Sequence, residues 1–380
     1  MSLRIATFNA ENLMARFDFS AWRKIVPDSE FDRSNRPHTR SDFRYLEKVG
    51  LITHEDDARQ MTALAIADCH ADIVCLQEVE DLETLEAFEE NYLTPITGLD
   101  YPIKEWREGN DTRGIDVALM ARKKTADGEP IEITEVISHR NKTFQKLDVY
   151  SDDLKKLGIG RNERVFRRDC LEVNLRIGGK PVTIFVCHFK SMGSGRENVD
   201  GRLHTMPVRH AEAQAVRTII ERKFGENRAG KMRWLICGDL NDYRERLVIE
   251  GDKLSGYQFK PMPEQVSGLK PLFDGGFADD LIARRHEDDR WTLYYASGIS
   301  ENVRRPDQRP IHHLVQLDYL LASPSLAGKN DRALPHIIRE GQPHRAIIPP
   351  DQQVERYPRT GWDRPKASDH CPVAVTLKMV

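Results

Sequence analysis

No CxxC pair, no HExxH or HxH spacing and no apolar run of membrane-spanning length occurs in this 380-residue chain. The first two absences exclude a thiolate-held zinc site and the helix of a zinc hydrolase. The third excludes a transmembrane helix. Six cysteines are present, at 69, 75, 170, 187, 237 and 371. Most lie inside apolar strand-like runs, so they are expected as buried, reduced thiols rather than disulfides. The N-terminus enters a strand-like run directly, without a charged and then apolar leader, and a reducing, cytoplasmic location is the expectation. Strong charge of either sign is also missing. Lys and Arg total 57 against 60 Asp and Glu, a formal net charge of −3. Such a chain has no global attraction for nucleic acid or anionic membrane, so a polyanion would have to be met by a local basic cleft.

What is present is a set of apolar runs that end on reactive side chains. LRIATFN stops at Asn9, ADIVCLQE at Glu78, VTIFVCH at His188 and RWLICGD at Asp239, with Asn241 just beyond. Buried strands normally end in turn chemistry. Acids, amides and imidazoles at several strand ends instead point to one polar site along a sheet edge. Asp318 opens QLDYLLAS, and Asp369 with His370 precedes PVAVTL. If these last two strands run antiparallel to the others, their first residues reach the same edge. Four carboxylates, two amides and two histidines then meet in one place.

Grouped carboxylates repel and raise one another's pKa unless a cation neutralises them. An oxygen-rich donor set favours a hard divalent ion, magnesium above all, with manganese as its substitute. Magnesium beside a His–Asp pair is the equipment for hydrolysing a phosphate ester: the metal polarises a phosphoryl oxygen and the imidazole takes a proton from water. Glu78 is the leading metal candidate, since Glu is seldom buried unless paired or metal-bound. His370 is expected as general base with Asp318 on its other ring nitrogen. Asp239 would position the attacking water and Asn241 would donate to a phosphate oxygen. Which of Asp239 and His370 takes the proton stays open at this point.

TFNAEN at 7–12, DIVCLQEVED at 72–81, CHFKS at 187–191, GDLND at 238–242, LDYLLAS at 317–323 and SDHCPV at 368–373 resemble, in order, the signatures of the endonuclease/exonuclease/phosphatase superfamily. One such motif is weak, whereas six in order from residue 5 to 377 are a specific signal. The resemblance implies the DNase I-like four-layer α/β sandwich, two packed mixed sheets flanked by helices. It implies that Asn9, Glu78 and Asp369 form the metal group. It also implies that His188 acts on the scissile phosphate and that Arg168, in FRRDCLEV, contacts phosphate. Lys190 extends the phosphate contacts, and Arg113, at the entrance of the strand-like RGIDVALMAR, is a further candidate. For Lys190 and Arg113 the plainer reading is a solvated charge; for Asn9 it is a strand-ending turn.

The motifs span the chain, so one domain over 1–380 is expected, with a long insertion at about 14–55 and a long loop at about 324–366. Trp22, Phe31, Phe43 and Tyr45 suit the insertion to a substrate-contacting flap or, equally, to a surface packing element. Helices are expected at about 56–69, after Glu78 through Leu82, Leu85, Phe88 and Tyr92, and at 207–223 with Pro207 in its first turn. Arg209 and Glu212 are expected as a local ion pair, and the adjacent His312 and His313 point to opposite sides of a strand. The functional expectation is a magnesium-dependent phosphodiesterase, a DNase I-like nuclease with nucleic acid as its substrate and no protein partner. The alternative is a phosphatase or phospholipase-like member acting on inositol phosphates, sphingolipid or nucleotides. A third class, a binding pseudoenzyme, would be signalled by a lost site residue, and none is lost.

Overall fold

The computed structural model describes residues 1–14, 56–193, 199–296 and 312–379. The flap expectation for 14–55, with its four aromatics, lies outside the described residues apart from Met14. The first sheet has the order β15-β16-β1-β2-β4-β3, and the second β11-β14-β8-β7-β6-β5. The first is built from β1 (Ser2–Leu13), β2 (Ile73–Val79), β3 (Ile103–Trp106), β4 (Asp116–Ala121), β15 (His336–Ile337) and β16 (Val373–Lys378). The second holds β5 (Ile131–Ser138), β6 (Cys170–Ile177), β7 (Lys180–His188), β8 (Trp234–Asp239), β11 (Asp279–Asp280) and β14 (Asp318–Ala322).

Each sheet has one parallel pair, β1 with β2 and β7 with β8, and is otherwise antiparallel. A parallel pair needs a crossover, and a helix supplies it each time. Helix α1 (Asp56–Asp68) lies between β1 and β2 in sequence, and α3 (Gly201–Phe224) lies between β7 and β8. Helix α2 (Leu82–Phe88) follows β2, with Asp81 accepting from the Thr84 amide at its start.

Successive strand residues face opposite ways, and here both faces are apolar. Ile5, Cys75, Leu119, Val173, Ile184 and Leu235 pack between the sheets. Phe8, Val74 and Leu76 turn outward onto Met61, Ile66 and Phe88 of the helices, while Phe185 and Ile236 meet Val208, Ala211 and Ile219 of α3. Helix, sheet, sheet and helix are the four layers expected. Truncating a buried ring such as Phe185 in such a core costs about 3–5 kcal/mol.

Three features differ from the reading above. Helix α3 starts at Gly201, six positions before Pro207, because the Asp200 side chain caps the Leu203 amide at 3.0 Å. Residues 324–366 are not a bare loop: they contain a helix at Pro324–Lys329 and β15, and Ile337, Ala346 and Ile348 join the core. A third, four-stranded sheet, β10-β9-β13-β12, stands beside the other two. It comprises β9 (Glu245–Asp252), β10 (Gly256–Pro263), β12 (Leu293–Ala296) and β13 (His312–Val315). All six cysteines are buried and free. Among the described residues no helix is long and apolar enough to cross a membrane.

Candidate active site

In the second sheet the site is laid out by register. His188 pairs with Asp239 across β7 and β8, and Asp239 pairs with Asp318 across β8 and β14. Three ionisable residues therefore stand in one row on adjacent strands. Gly238 makes this row possible. Its φ is +151°, and a Cβ there would lie 1.9 Å from the Cys187 carbonyl oxygen, so only glycine allows β8 so close to β7. Past Asp239 the chain turns through Asn241, whose φ of +51° is a left-handed conformation that Asn tolerates. The Asn241 amide donates to Asp239 Oδ1 at 2.8 Å, and its Nδ2 to Asp239 Oδ2 at 2.9 Å and to the Phe189 carbonyl at 3.1 Å.

The first sheet reaches the same edge by irregularity. The β1–β2 and β2–β4 registers both shift at Glu78, which sits as an extra residue between Gln77 and Val79. Such a bulge re-aims a side chain, and Glu78 holds it with φ +64°, an uncommon conformation for a residue with a Cβ. The β1 strand does not stop at Asn9 as its apolar run suggested; it continues through Glu11 and Asn12, both at positive φ, to Leu13. The bend brings the Asn12 amide to Glu78 Oε2 at 3.0 Å.

The two halves meet at one oxygen. Asn9 Nδ2 donates to Asp239 Oδ2 at 3.1 Å. The Nε2 atoms of His188 and His370 lie 3.5 Å and 3.8 Å from that same oxygen, which the Asn241 side chain also reaches. His370 is fixed from behind by Asp318, whose Oδ2 is 2.8 Å from Nδ1. Its amide donates to Ser368 Oγ at 3.0 Å, and Ser368 Oγ donates in turn to the Asn9 carbonyl at 2.7 Å. Gln342 Nε2 donates to the carbonyls of Ser368 and His370 at 3.2 Å each. The eight strand-end residues expected together are together.

Burial sets the electrostatics. It raises Asp239 to about 7 against the pull of the neighbouring His370. Burial also works against a charged His370, but the carboxylates of Asp318 and Asp239 outweigh it and lift this imidazole well above its usual range. A proton at this spot belongs to the Asp239–His370 pair rather than to either residue. His188 is the opposite case: burial, reinforced by the Arg168 guanidinium, holds it well below 6.5, so it is neutral.

Burial, and then the negative charge of Asp369, raise Glu78. Burial works against ionised Asp369 too, but Lys366 and His370 outweigh it and lower this carboxyl, so it is the ionised form of Glu78 that a cation beside the pair would relieve. Among the described residues no group of three His, Cys, Asp or Glu forms a cage for a metal. Magnesium is commonly held by one or two carboxylates with water and substrate phosphate completing its shell, so Glu78 with Asp369 fits that ion. The Asn9 side chain is committed on both sides, its Nδ2 to Asp239 and its Oδ1 to the Glu11 amide at 3.1 Å. It therefore orients the Asp239 carboxylate.

The cations expected to meet phosphate are placed differently from one another. Arg168 is 2% exposed; its Nη1 donates to the Phe189 carbonyl at 2.9 Å and its Nε lies 2.8 Å from Asp111 Oδ2. Arg113 also holds Asp111, through Nε at 3.0 Å and Nη2 at 2.9 Å. Lys190 is half-buried, with Nζ donating to the Ser191 carbonyl and hydroxyl at 3.0 Å. Burial, then Arg168, lower Lys190 to about 8. Arg209 does not pair with Glu212 as expected. Its Nε meets Asp242 Oδ2 at 3.3 Å, and Glu212 accepts from the amides of Arg167 and Lys190 at 2.9 and 2.7 Å. Asp242 also takes Arg202 Nε at 2.7 Å, so two arginines of α3 clamp the turn that carries Asp239 and Asn241.

Asp111, Ser368, Gln342 and Asp242 were not singled out in the sequence. Ser368 and Asp242 stand inside the SDH and GDLND motifs, whereas nothing local marks Asp111 or Gln342.

No family model and no curated protein matches the chain. Solved structures do, at low identity. A truncated Caenorhabditis elegans TDP2 is 13% identical, with 99% of this chain and 98% of that one covered and a TM-score of 0.47. The human Nocturnin catalytic domain with bound sulfate is 11% identical, with 99% and 94% covered and a TM-score of 0.48. An endonuclease/exonuclease/phosphatase family protein from Bacteroides thetaiotaomicron is 13% identical, with 99% and 95% covered and a TM-score of 0.48. Structures carrying the superfamily name anticipated from the motifs are thus among those the chain is similar to.

Proposed function

We propose that this chain is a metal-dependent phosphodiesterase that hydrolyses nucleic acid by in-line attack of water, in the manner of a DNase I-like nuclease. The observation that carries the reading is the convergence of Asn9, His188, Asn241 and His370 on Asp239 Oδ2, with the carboxylates of Glu78 and Asp369 close by. Glu78 and Asp369 would hold magnesium, or manganese in its place, and the ion would polarise the phosphoryl oxygen and steady the leaving oxygen. Asp239, raised toward neutrality by burial, accepts the proton of the attacking water, and the charged His370 beside it keeps the carboxylate ionised until then. Asp318 fixes the His370 tautomer and balances its charge. Neutral His188 and the Asn241 amide donate to non-bridging oxygens as negative charge grows there. Arg168 acts from behind His188 as a fixed positive charge, while Lys190 and Arg113, held by Ser191 and Asp111, are the less buried cations that would meet flanking phosphates.

The test is direct. Purified protein with magnesium is assayed against plasmid, single-stranded DNA, RNA, bis-nitrophenyl phosphate and inositol phosphates, reading strand scission and inorganic phosphate release side by side. Scission that stops in EDTA and returns with magnesium or manganese is expected. Full activity in chelator overturns the mechanism. Phosphate release from monoesters without scission turns the assignment to a phosphatase.

A further inference from the structure

The row of site residues on the second sheet continues past His188 into a cluster of arginines. Cys170 at the start of β6 pairs with Cys187, so the segment 139–169, which joins β5 to β6, emerges at the catalytic edge beside His188. The start of β6 is two strand spacings from Asp239, roughly 10 Å, on the side away from Asp318. Contacts run from the site into this segment without a gap. Asn241 Nδ2 and Arg168 Nη1 donate to the same Phe189 carbonyl, at 3.1 and 2.9 Å. The Arg168 carbonyl accepts from the Asn110 amide at 3.0 Å. Asn110 Nδ2 donates to the carbonyls of Phe166 and Arg140 at 2.9 and 2.7 Å, and its Oδ1 accepts from Arg164 Nη1 at 2.5 Å. Asn110 thus ties the Arg164 guanidinium to the backbone of Arg168.

The loop that carries Asn110 is docked closely. A Cβ on Gly109 would lie 2.3 Å from Asp116 Oδ1 and 3.1 Å from the Arg168 carbonyl carbon, an approach that glycine alone permits. Around this loop positive charge exceeds negative. Arg113, Arg140, Arg164 and Arg168 all bind within Glu108–Asp111, which offers two carboxylates. Arg113 and Arg168 share Asp111, and Arg140 takes Glu108 at 2.8 Å. Arg164 is exposed and, among the described residues, meets only the neutral Asn110 side chain. It therefore keeps its full charge and most of its five N–H donors. Being pinned at one nitrogen, it also has less freedom to lose when it binds an anion.

We propose that this arginine cluster is the surface that carries the substrate strand away from the site on the His188 side, with Arg164 bonding a phosphate beyond the scissile one and Arg140 supporting it. The partner is a nucleic acid backbone, met through its phosphates and not its bases. The proposal rests on the nuclease reading and deepens it: the substrate is longer than a dinucleotide, and its extra length is felt here.

The experiment uses that length. Binding of a dinucleotide and of a longer single strand to the full chain is measured in EDTA over a salt series, and KM and turnover are measured with magnesium. Arg164→Met should weaken the longer strand about fivefold to tenfold at low salt, the scale of one charge-assisted hydrogen bond. It should flatten the salt dependence by about one phosphate contact, and raise KM with turnover unchanged. Dinucleotide binding and hydrolysis of bis-nitrophenyl phosphate should not change. Arg140→Met should lose less, because Glu108 already neutralises it. Arg161→Met is the control: it removes the same charge three positions away, from an exposed arginine held over the Tyr150 ring at 5.1 Å, and should leave the longer strand's affinity and salt slope as they are. A longer strand bound equally by the parent and by Arg164→Met overturns the surface, while scission by the parent still upholds the nuclease. Equal losses from Arg164→Met and Arg161→Met overturn it by reducing the effect to overall charge, and an equal loss on the dinucleotide overturns it by placing Arg164 at the scissile phosphate. An inositol polyphosphate weakened by Arg164→Met when the longer strand is not would reject the nucleic acid as partner. A parent that neither binds nor cleaves a strand of any length removes the nuclease reading and the surface together.

Discussion

The two large sheets contribute to one site in opposite ways. The second sheet delivers His188, Asp239 and Asp318 from regular strands, side by side in a hydrogen-bonded row. The first delivers Glu78 and Asn9 from strands that bulge and bend, with three residues at positive φ. Regular register holds groups at fixed spacing, which suits proton movement between neighbours a few ångströms apart. A bulge aims one side chain out of its pleat, which suits a carboxylate that must face another across a gap. The division of labour inferred here follows that difference: the bent half for a cation, the ruled half for the proton, with His370 reaching across from the start of β16 to complete the latter.

The division is testable by rescue. Asp239→Asn should lower turnover by a hundredfold or more, the scale for a positioned proton acceptor, and extra magnesium should not restore it. Glu78→Gln should need far more magnesium for half-maximal rate yet approach the wild-type rate when saturated. Metal rescue of the Asp239 variant, with none for Glu78, would reverse the assignment of the halves.

A second prediction tests what keeps the ruled half rigid. Arg209 is fully buried against Asp242, and removing one partner of a buried pair costs about 3–5 kcal/mol. Arg209→Met should lower the urea midpoint accordingly. A variant as stable as the parent would show that Arg202 alone secures the turn after β8.

Acid sensitivity offers a third and smaller effect, again confined to the second sheet. Burial alone would raise Glu172 on β6, but His139, Lys223 and Asn174 all reach its carboxylate and pull it down to about 2. A group depressed in the folded state stabilises fully above its unfolded pKa of 4.5 and loses that contribution as pH falls toward 2. Unfolding free energy should therefore decline over that window by at most about 3 kcal/mol, and Glu172→Gln should flatten this part of the curve. An unaltered slope in the variant would assign the acid sensitivity elsewhere. Smallest of all, Arg113→Ala should change stability by less than about 1 kcal/mol, because the pair with Asp111 is partly exposed. Its effect should fall on KM for long substrates rather than on turnover.

The strand ends were legible because a buried apolar run that stops on Glu, His or Asp violates ordinary turn chemistry, and the topology then honours that violation. Asp318 and Asp369 could be placed because antiparallel pairing inverts which end of a strand counts. The bulge at Glu78 left no such mark: DIVCLQEV alternates no differently from a regular strand, and only pairing with β4 exposes the extra residue. Helix α3 was entered late because Pro207 looks like a first-turn proline, while the true start depends on the Asp200 cap and on Arg202, drawn to Asp242 forty residues on. The third sheet has no clear sequence signature since β10 carries Pro261 and Pro263, tolerated only because it is an edge strand. His312 and His313 do face opposite ways: the former stacks on Tyr294, the latter lies between Tyr243 and Tyr295.

The pairing of β1 with β16, Thr7 against Val373, joins two strands that lie far apart in sequence. Chains emerge from the ribosome amino end first, so Asn9 and Glu78 are made long before Asp369 and His370. Until β16 arrives, the centre of the first sheet has an unpaired edge and the site lacks one of its two imidazoles and one of its carboxylates. A site divided in this way is all or nothing: whatever parts β1 from β16 separates Asn9 from the Ser368 hydroxyl and takes His370 with it.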